Sequence, residues 1–134
     1  MNLRFENVTM RYGQQSALDD FSLSVDKVRC VALIGPSGGG KSTTLRLLAG
    51  LEIPSSGSIQ INGTEIGLSE PQRLAYRKRI GVVFQAFNLF PHFDALTNVA
   101  LPLEKVHGYS LSASIEKAES ILDQFQLSEH RFKK

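Results

Sequence analysis

The chain has 134 residues, 42% hydrophobic and 21% charged, which suits one ordinary globular domain rather than a disordered or fibrous segment. Fifteen basic side chains oppose thirteen acidic ones, and a formal charge of +2, so near balance, points neither to nor away from nucleic-acid or membrane partners. The single cysteine, Cys30, excludes a disulfide framework, and its apolar surroundings predict a small buried hydrophobe. His92, His107 and His130 lack ligand spacing, so no histidine-held metal is expected.

In chain order, Leu3–Val8 reads as a short strand. Phe21, Leu23 and Val25 alternate with Ser22, Ser24 and Asp26, the pattern of a half-buried strand. Cys30–Ile34 is continuously apolar and predicts a strand covered on both faces. A glycine loop follows. Ser42–Ala49 then reads as a helix with Leu45, Leu48 and Ala49 inward, closed by Gly50. Ser58–Ile66 reads as a hairpin, because Asn62-Gly63 suits the positive φ angles of a type I′ turn. Ser69 and Gln72 have capping-box spacing ahead of a helix over Glu70–Lys78. Ile80–Phe84 is a second apolar run, expected as a buried strand.

After about Gln85 the character shifts towards helices. Leu96–Val106 is a helical stretch that Pro102 should disturb. Leu111, Ile115, Ala118, Leu122 and Phe125 form one helical stripe with charges off it. Phe84, Phe87, Phe90 and Phe93 recur every third residue, and core packing is the default reading of that spacing. The N-terminus lacks a signal-peptide pattern, and no apolar stretch reaches the ~20 residues a membrane span requires.

The chemistry is concentrated at Gly35-Pro36-Ser37-Gly38-Gly39-Gly40-Lys41-Ser42, which has the spacing Gly, four residues, Gly, Lys, Ser/Thr between a strand signal and a helix signal. Glycines let the backbone amides approach phosphate oxygens, and the helix N-terminus adds roughly half a positive charge. Lys41 would sit against the β- and γ-phosphates, with the Ser42 hydroxyl on Mg²⁺. A dinucleotide loop counted from Gly38 would need glycine where Thr43 stands.

With these motifs, the sequence resembles the ATP-binding subunit of an ABC transporter. The resemblance rests on the loop extended by Thr43, on Tyr12 within Met10-Arg11-Tyr12-Gly13, on Leu51–Gly63, and on Val82-Val83-Phe84-Gln85 followed by Asn88-Leu89-Phe90-Pro91-His92. It implies an α/β P-loop NTPase fold: a mixed sheet around the phosphate-loop helix, an antiparallel β subdomain, and a helical subdomain. It also implies one nucleotide-binding domain over 1–134, with a β-rich core over 1–85 and the start of the helical subdomain over 86–134.

The implied site comprises Tyr12 stacking on adenine, Gly35, Ser37, Gly38, Gly39, Gly40, Lys41 and Ser42 around the phosphates, and Thr43 on the α-phosphate. Gln85 would reach Mg²⁺ and the attacking water, so Lys41 and Gln85 are the implied catalytic pair, and Ser42 and Gln85 the metal contacts. The implied ligands are ATP and Mg²⁺. The implied partners are integral-membrane permease subunits and a second nucleotide-binding subunit, at the cytoplasmic face of a bacterial inner membrane. The Phe87–His92 wording most resembles importers of polar amino acids, and the phenylalanine stretch would face a permease. Nucleic acid is not an expected partner: Arg73, Arg77, Lys78 and Arg79, and Arg131, Lys133 and Lys134, read as solvated faces.

These residues contain no Leu-Ser-Gly-Gly-Gln and no apolar strand ending in Asp-Glu. The expectation is an N-terminal fragment that binds nucleotide, does not hydrolyse it, and self-associates through uncovered apolar surface. Other classes compete less well. A GTP switch lacks Asn-Lys-x-Asp, a small kinase would need an arginine-rich lid, a purely partner-binding module leaves the loop unexplained, and a DNA-repair relative fits Gln85–His92 less closely.

Overall fold

A computed structural model describes all residues from Met1 to Lys134. The chain divides into two compact units, Met1–Val82 and Val83–Lys134.

In the first unit, strands β1 (Leu3–Tyr12), β2 (Gln15–Val25), β3 (Ser56–Ile61) and β4 (Thr64–Glu65) form an antiparallel sheet in the order β2-β1-β3-β4. β1 is the centre of the core. Leu3 and Phe5 point inward, and then Val8 and Met10 do, so the alternation slips by one residue between them. The slip is a bulge: Asn7 has φ 48°, and pairing with β2 and β3 shifts register around it. The Asn7 amide donates to Ser22 Oγ at 2.9 Å, and its side chain donates to Asp20 at 2.8 Å. Gly57 lies against the bulge so closely that a Cβ there would meet the Asn7 carbonyl at 2.4 Å. Both strands run further than the sequence pattern marks, and residues 15–20 of β2 show no apolar alternation, only the pair Ala17-Leu18 between polar residues. The β3–β4 hairpin turns as expected, with Asn62 at φ 51° and Gly63 at φ 76°.

Helix α1 (Lys41–Leu48) follows the glycine loop, and α2 (Glu70–Arg77) follows β4. α1 ends on Gly50 at φ 63°, whose amide bonds to the Leu47 carbonyl at 3.0 Å. The inward face matches expectation at buried Ala49 and half-buried Leu48 but not at Leu45. Leu45 is 58% exposed, whereas Leu47 is 1% exposed and joins the sheet core. Thr43, Thr44, Leu47 and Leu48 share one face at helical spacing, and Leu45 lies off it. α2 opens on the expected capping box, with the Ser69 amide donating to the Gln72 side chain at 3.2 Å. Tyr76 donates to the Leu48 carbonyl at 2.6 Å and Arg77 to the Gly50 carbonyl at 3.2 Å, which satisfies the end of α1 and ties it to α2.

Two expected strands do not form. Cys30–Ile34 and Ile80–Phe84 have no ladder partner, Ile34 is 94% exposed and Val83 101%, and Cys30 is exposed rather than buried. Apolar content creates a wish for cover. A strand needs neighbours as well, and the four strands of this sheet pair only with one another.

The second unit packs α3 (Ala95–Lys105) on α4 (Leu111–Gln124) through Leu96, Ala100, Ala118 and Leu122, with Val99 and Ile115 at the margin. Ser114, fully buried, lies between Ala118 and the helix start, while Leu111 and Phe125 of the expected stripe are exposed. Asp94 caps α3 by accepting the Thr97 amide at 2.8 Å, so the helix begins before Leu96. Pro102 is tolerated within α3 on its exposed side, three residues from the end. The Arg131 and Lys133 carbonyls accept the amides of Leu96 and Ala95. A 3₁₀ turn spans Ser128–His130. Core packing fails for most of the phenylalanine series: Phe84, Phe87 and Phe90 are exposed, and only Phe93 is partly buried, edge-on to Phe90 with ring centres 5.8 Å apart.

Candidate phosphate-binding site

The loop geometry follows from three glycines meeting a helix start. Gly38 (φ 81°) and Gly40 (φ 75°) occupy the left-handed region, which L side chains rarely adopt. Gly39 turns back to donate to the Pro36 carbonyl at 3.3 Å. Gly40 has a second constraint. A Cβ on it would lie 2.6 Å from the Ala17 carbonyl oxygen and 2.8 Å from Leu18 Cδ2, so strand β2 passes directly against the loop.

Gly40 is also the N-cap of α1, and it offers no side-chain acceptor. The first intrahelical donor is the Thr44 amide, bonded to the Gly40 carbonyl at 2.8 Å, with the Thr44 hydroxyl on the same oxygen at 3.0 Å. The amides of Lys41, Ser42 and Thr43 precede it and so have no turn of helix to donate to. No acidic residue stands in that first turn to offset the positive end of the helix. The result is an array of donors at the positive end of the helix.

Lys41 completes it. Its ammonium donates to the Gly35 carbonyl at 2.8 Å and the Pro36 carbonyl at 2.5 Å, folding over the loop it belongs to. A polyphosphate would replace these two neutral acceptors with charged oxygens, adding direct charge attraction to the hydrogen bonds.

The depression over the loop is lined by Ala17, Ser37, Gly38, Gly40, Lys41, Ser42 and Thr43. Six of these were singled out from the sequence; Ala17 was not, because nothing in its residue type announces that β2 crosses the loop. Gly35 contributes the carbonyl under Lys41, and Gly39 the inner turn. Ser42 is exposed, while Thr43 is buried except where it meets the depression.

Tyr12 ends β1 beside the Gly13 turn, with 44% of its surface exposed, and its hydroxyl donates to the Glu52 carboxylate. Gln85 lies at an exposed bend of the second unit. No group of three or more His, Cys, Asp or Glu side chains is gathered anywhere in the chain. The depression offers a cation only the hydroxyls of Ser37, Ser42 and Thr43, a set that fits Mg²⁺ only as an ion carried in on phosphate oxygens.

The description "ABC transporter" belongs to the family model that matches residues 18–134. A ferric-ion import ATP-binding protein of Brucella abortus is 45% identical over 88% of this chain and 32% of its own length. A spermidine/putrescine import ATP-binding protein of Nitrosomonas europaea is 39% identical over 97% of this chain and 35% of its own. A methionine import ATP-binding protein of Rhizobium johnstonii is 43% identical over 90% of the chain. The chain thus spans about a third of the length of these curated relatives. Among solved structures, a dimeric bacterial ABC transporter cassette superposes with a TM-score of 0.80 at 33% identity, covering 97% of this chain and 60% of that one. A dimeric post-hydrolysis cassette bound to ADP and phosphate gives 0.79 at 32% identity. The resemblance first carried by a glycine loop therefore holds over nearly every residue, and the chain belongs to the ABC transporter family.

Proposed function

We propose that this chain is the nucleotide-binding part of an importer ATPase, taking Mg-ATP at the Gly35–Ser42 loop. The observation that carries the reading is the donor array itself: helix amides without acceptors, two left-handed glycines, and an ammonium parked on replaceable carbonyls. Such an array favours a polyanion over any neutral ligand. In this reading Tyr12 offers a face to the base, Thr43 bonds the α-phosphate, and Ser42 contacts Mg²⁺.

When bound, Mg²⁺ would neutralise phosphate charge during phosphoryl transfer. The residues of this chain orient the triphosphate and hold charge against it. Asp-Glu carboxylates and a Leu-Ser-Gly-Gly-Gln segment are not among these 134 residues. The chain by itself is accordingly a binder, and turnover belongs to an assembly with a second nucleotide-binding subunit.

The proposed setting is the cytoplasmic face of a bacterial inner membrane, beside permease subunits. No helix here is long and apolar enough to cross a membrane. Phe84, Phe87, Leu89 and Phe90 present the exposed apolar surface that such docking would cover. The relatives' printed cargoes include ferric ions, polyamines and methionine, so they support import as a class without selecting polar amino acids.

Photolabelling with 8-azido-ATP tests the assignment. The label should fall on the peptide containing Tyr12 and be displaced by excess ATP. Labelling scattered along the chain, or undiminished by ATP, would contradict it.

A further inference from the structure

We infer that Glu52 is a positioning residue for nucleotide recognition: its carboxylate, anchored by Arg46 of α1, takes the Tyr12 hydroxyl and fixes the ring before a base arrives. The inference rests on the reading that Tyr12 stacks on the base, and adds to it the device that holds the ring.

Two side-chain ties converge on Glu52, and a third fixes the segment that carries it. The Tyr12 hydroxyl donates to one carboxylate oxygen. The other lies 3.5 Å from the Arg46 guanidinium, in the last turn of the same helix whose first turn carries Lys41, Ser42 and Thr43. Next along the chain, Ser55 stitches this segment to β1: its amide donates to the Thr9 carbonyl at 2.8 Å, and its hydroxyl accepts the Arg11 amide at 3.1 Å. Glu52 thus sits where α1 and the β1–β2 hairpin meet, with its side chain only 23% exposed.

The hairpin is held against α1 at the opposite end as well, by the close approach of Ala17 and Leu18 to Gly40. Between these two points the backbone carrying Tyr12 has little freedom. The ring itself would still rotate about its side-chain bonds, being 44% exposed at the end of a strand. The Glu52 bond removes that freedom in advance. A ring held in place loses less entropy on stacking than one that must be ordered by the ligand. Phosphate binding involves other groups and should not register the difference.

The test measures the affinities of Mg-ATP and Mg-tripolyphosphate, which lacks a base, for the 134-residue chain and its variants. Ordering one side chain corresponds to a change of about 2- to 12-fold in affinity. Glu52→Ala should weaken ATP binding on that order and leave tripolyphosphate unchanged. Glu52→Gln keeps a carbonyl acceptor for the tyrosine hydroxyl and should restore most of the ATP affinity. In a Tyr12→Phe background, which stacks but cannot donate, Glu52→Ala should add no further loss. Equal weakening of both ligands by Glu52→Ala would reduce Glu52 to a structural role and overturn the inference. So would unchanged ATP affinity in Glu52→Ala alongside a clear loss in Tyr12→Ala. If Tyr12→Ala itself leaves ATP affinity intact, the base-stacking reading fails first, and the inference with it.

Discussion

Alanine at Gly40 and alanine at Gly38 should differ sharply, although both replace a left-handed glycine two residues apart in one loop. At Gly38 (φ 81°) an added Cβ meets nothing within 4 Å, so the cost is the left-handed backbone alone, about 1–2 kcal/mol. At Gly40 (φ 75°) the Cβ would stand 2.6 Å from the Ala17 carbonyl and 2.8 Å from Leu18 Cδ2, inside the 3.0 Å that real Cβ atoms respect. The first neighbour is backbone of β2, and Leu18 is packed against the buried core, so neither moves freely. Overpacking of that kind adds about 1–3 kcal/mol, for a total of roughly 2–5 kcal/mol. In a unit of this size each kcal/mol lowers the melting temperature by about 4–8 °C. Thermal unfolding followed by far-UV circular dichroism should therefore place Gly40→Ala well below Gly38→Ala, and both below the parent. Superimposable melting curves for the two variants would refute the claim that β2 closes against the loop.

Other outcomes follow from packing and charge. Leu47→Ala should cost about 2–5 kcal/mol in chemical denaturation, whereas exposed Leu45→Ala stays within about 0.5 kcal/mol; the reverse order would mean that α1 is rotated. Phe5→Ala, which also removes an edge-to-face pair with Phe21 at 5.3 Å, should cost about 3–5 kcal/mol by the same assay. The Asp94 carboxyl is held below the usual range by hydrogen bonds from the Thr97 side chain and then its amide, with Lys134 assisting. Its contribution is complete above the ordinary carboxylate value of about 3.9 and is lost as pH falls through the lower folded value. Acid titration of helicity should thus be less steep below that point in Asp94→Asn, and an unchanged profile would count against the cap. Light scattering should show self-association through the exposed apolar residues, reduced by Val83→Lys or Phe87→Ser, and a monomer at high concentration would argue otherwise.

Local chemistry was legible where a residue type meets a local need. Gly38 and Gly40, the Asn62-Gly63 turn and the Ser69/Gln72 box all appear where their side chains, or lack of them, demanded. Tertiary facts were not. Residues 15–20 conceal half of β2, because Ala17-Leu18 stand together between polar pairs and an edge strand needs no apolar alternation. Cys30–Ile34 and Ile80–Phe84 read as buried strands from their composition, but burial depends on neighbours that composition does not specify. The missing bulge at Asn7 has the same origin: its signal is a half-period slip between Phe5 and Val8, visible only once both are known to face one core. At the site, Ala17 and Glu52 act through where the chain passes, and neither residue type carries a motif.

Calorimetric titration of Mg-ATP into the parent chain and into Lys41→Ala tests the central claim most directly. The account predicts saturable one-to-one binding in the parent, competed by tripolyphosphate. In the variant it predicts a loss of an order of magnitude or more, as expected for removing a charge-assisted contact of about 1.5–3 kcal/mol, with the melting curve little changed. Equal affinity in both proteins, or no saturable binding in the parent, would contradict it.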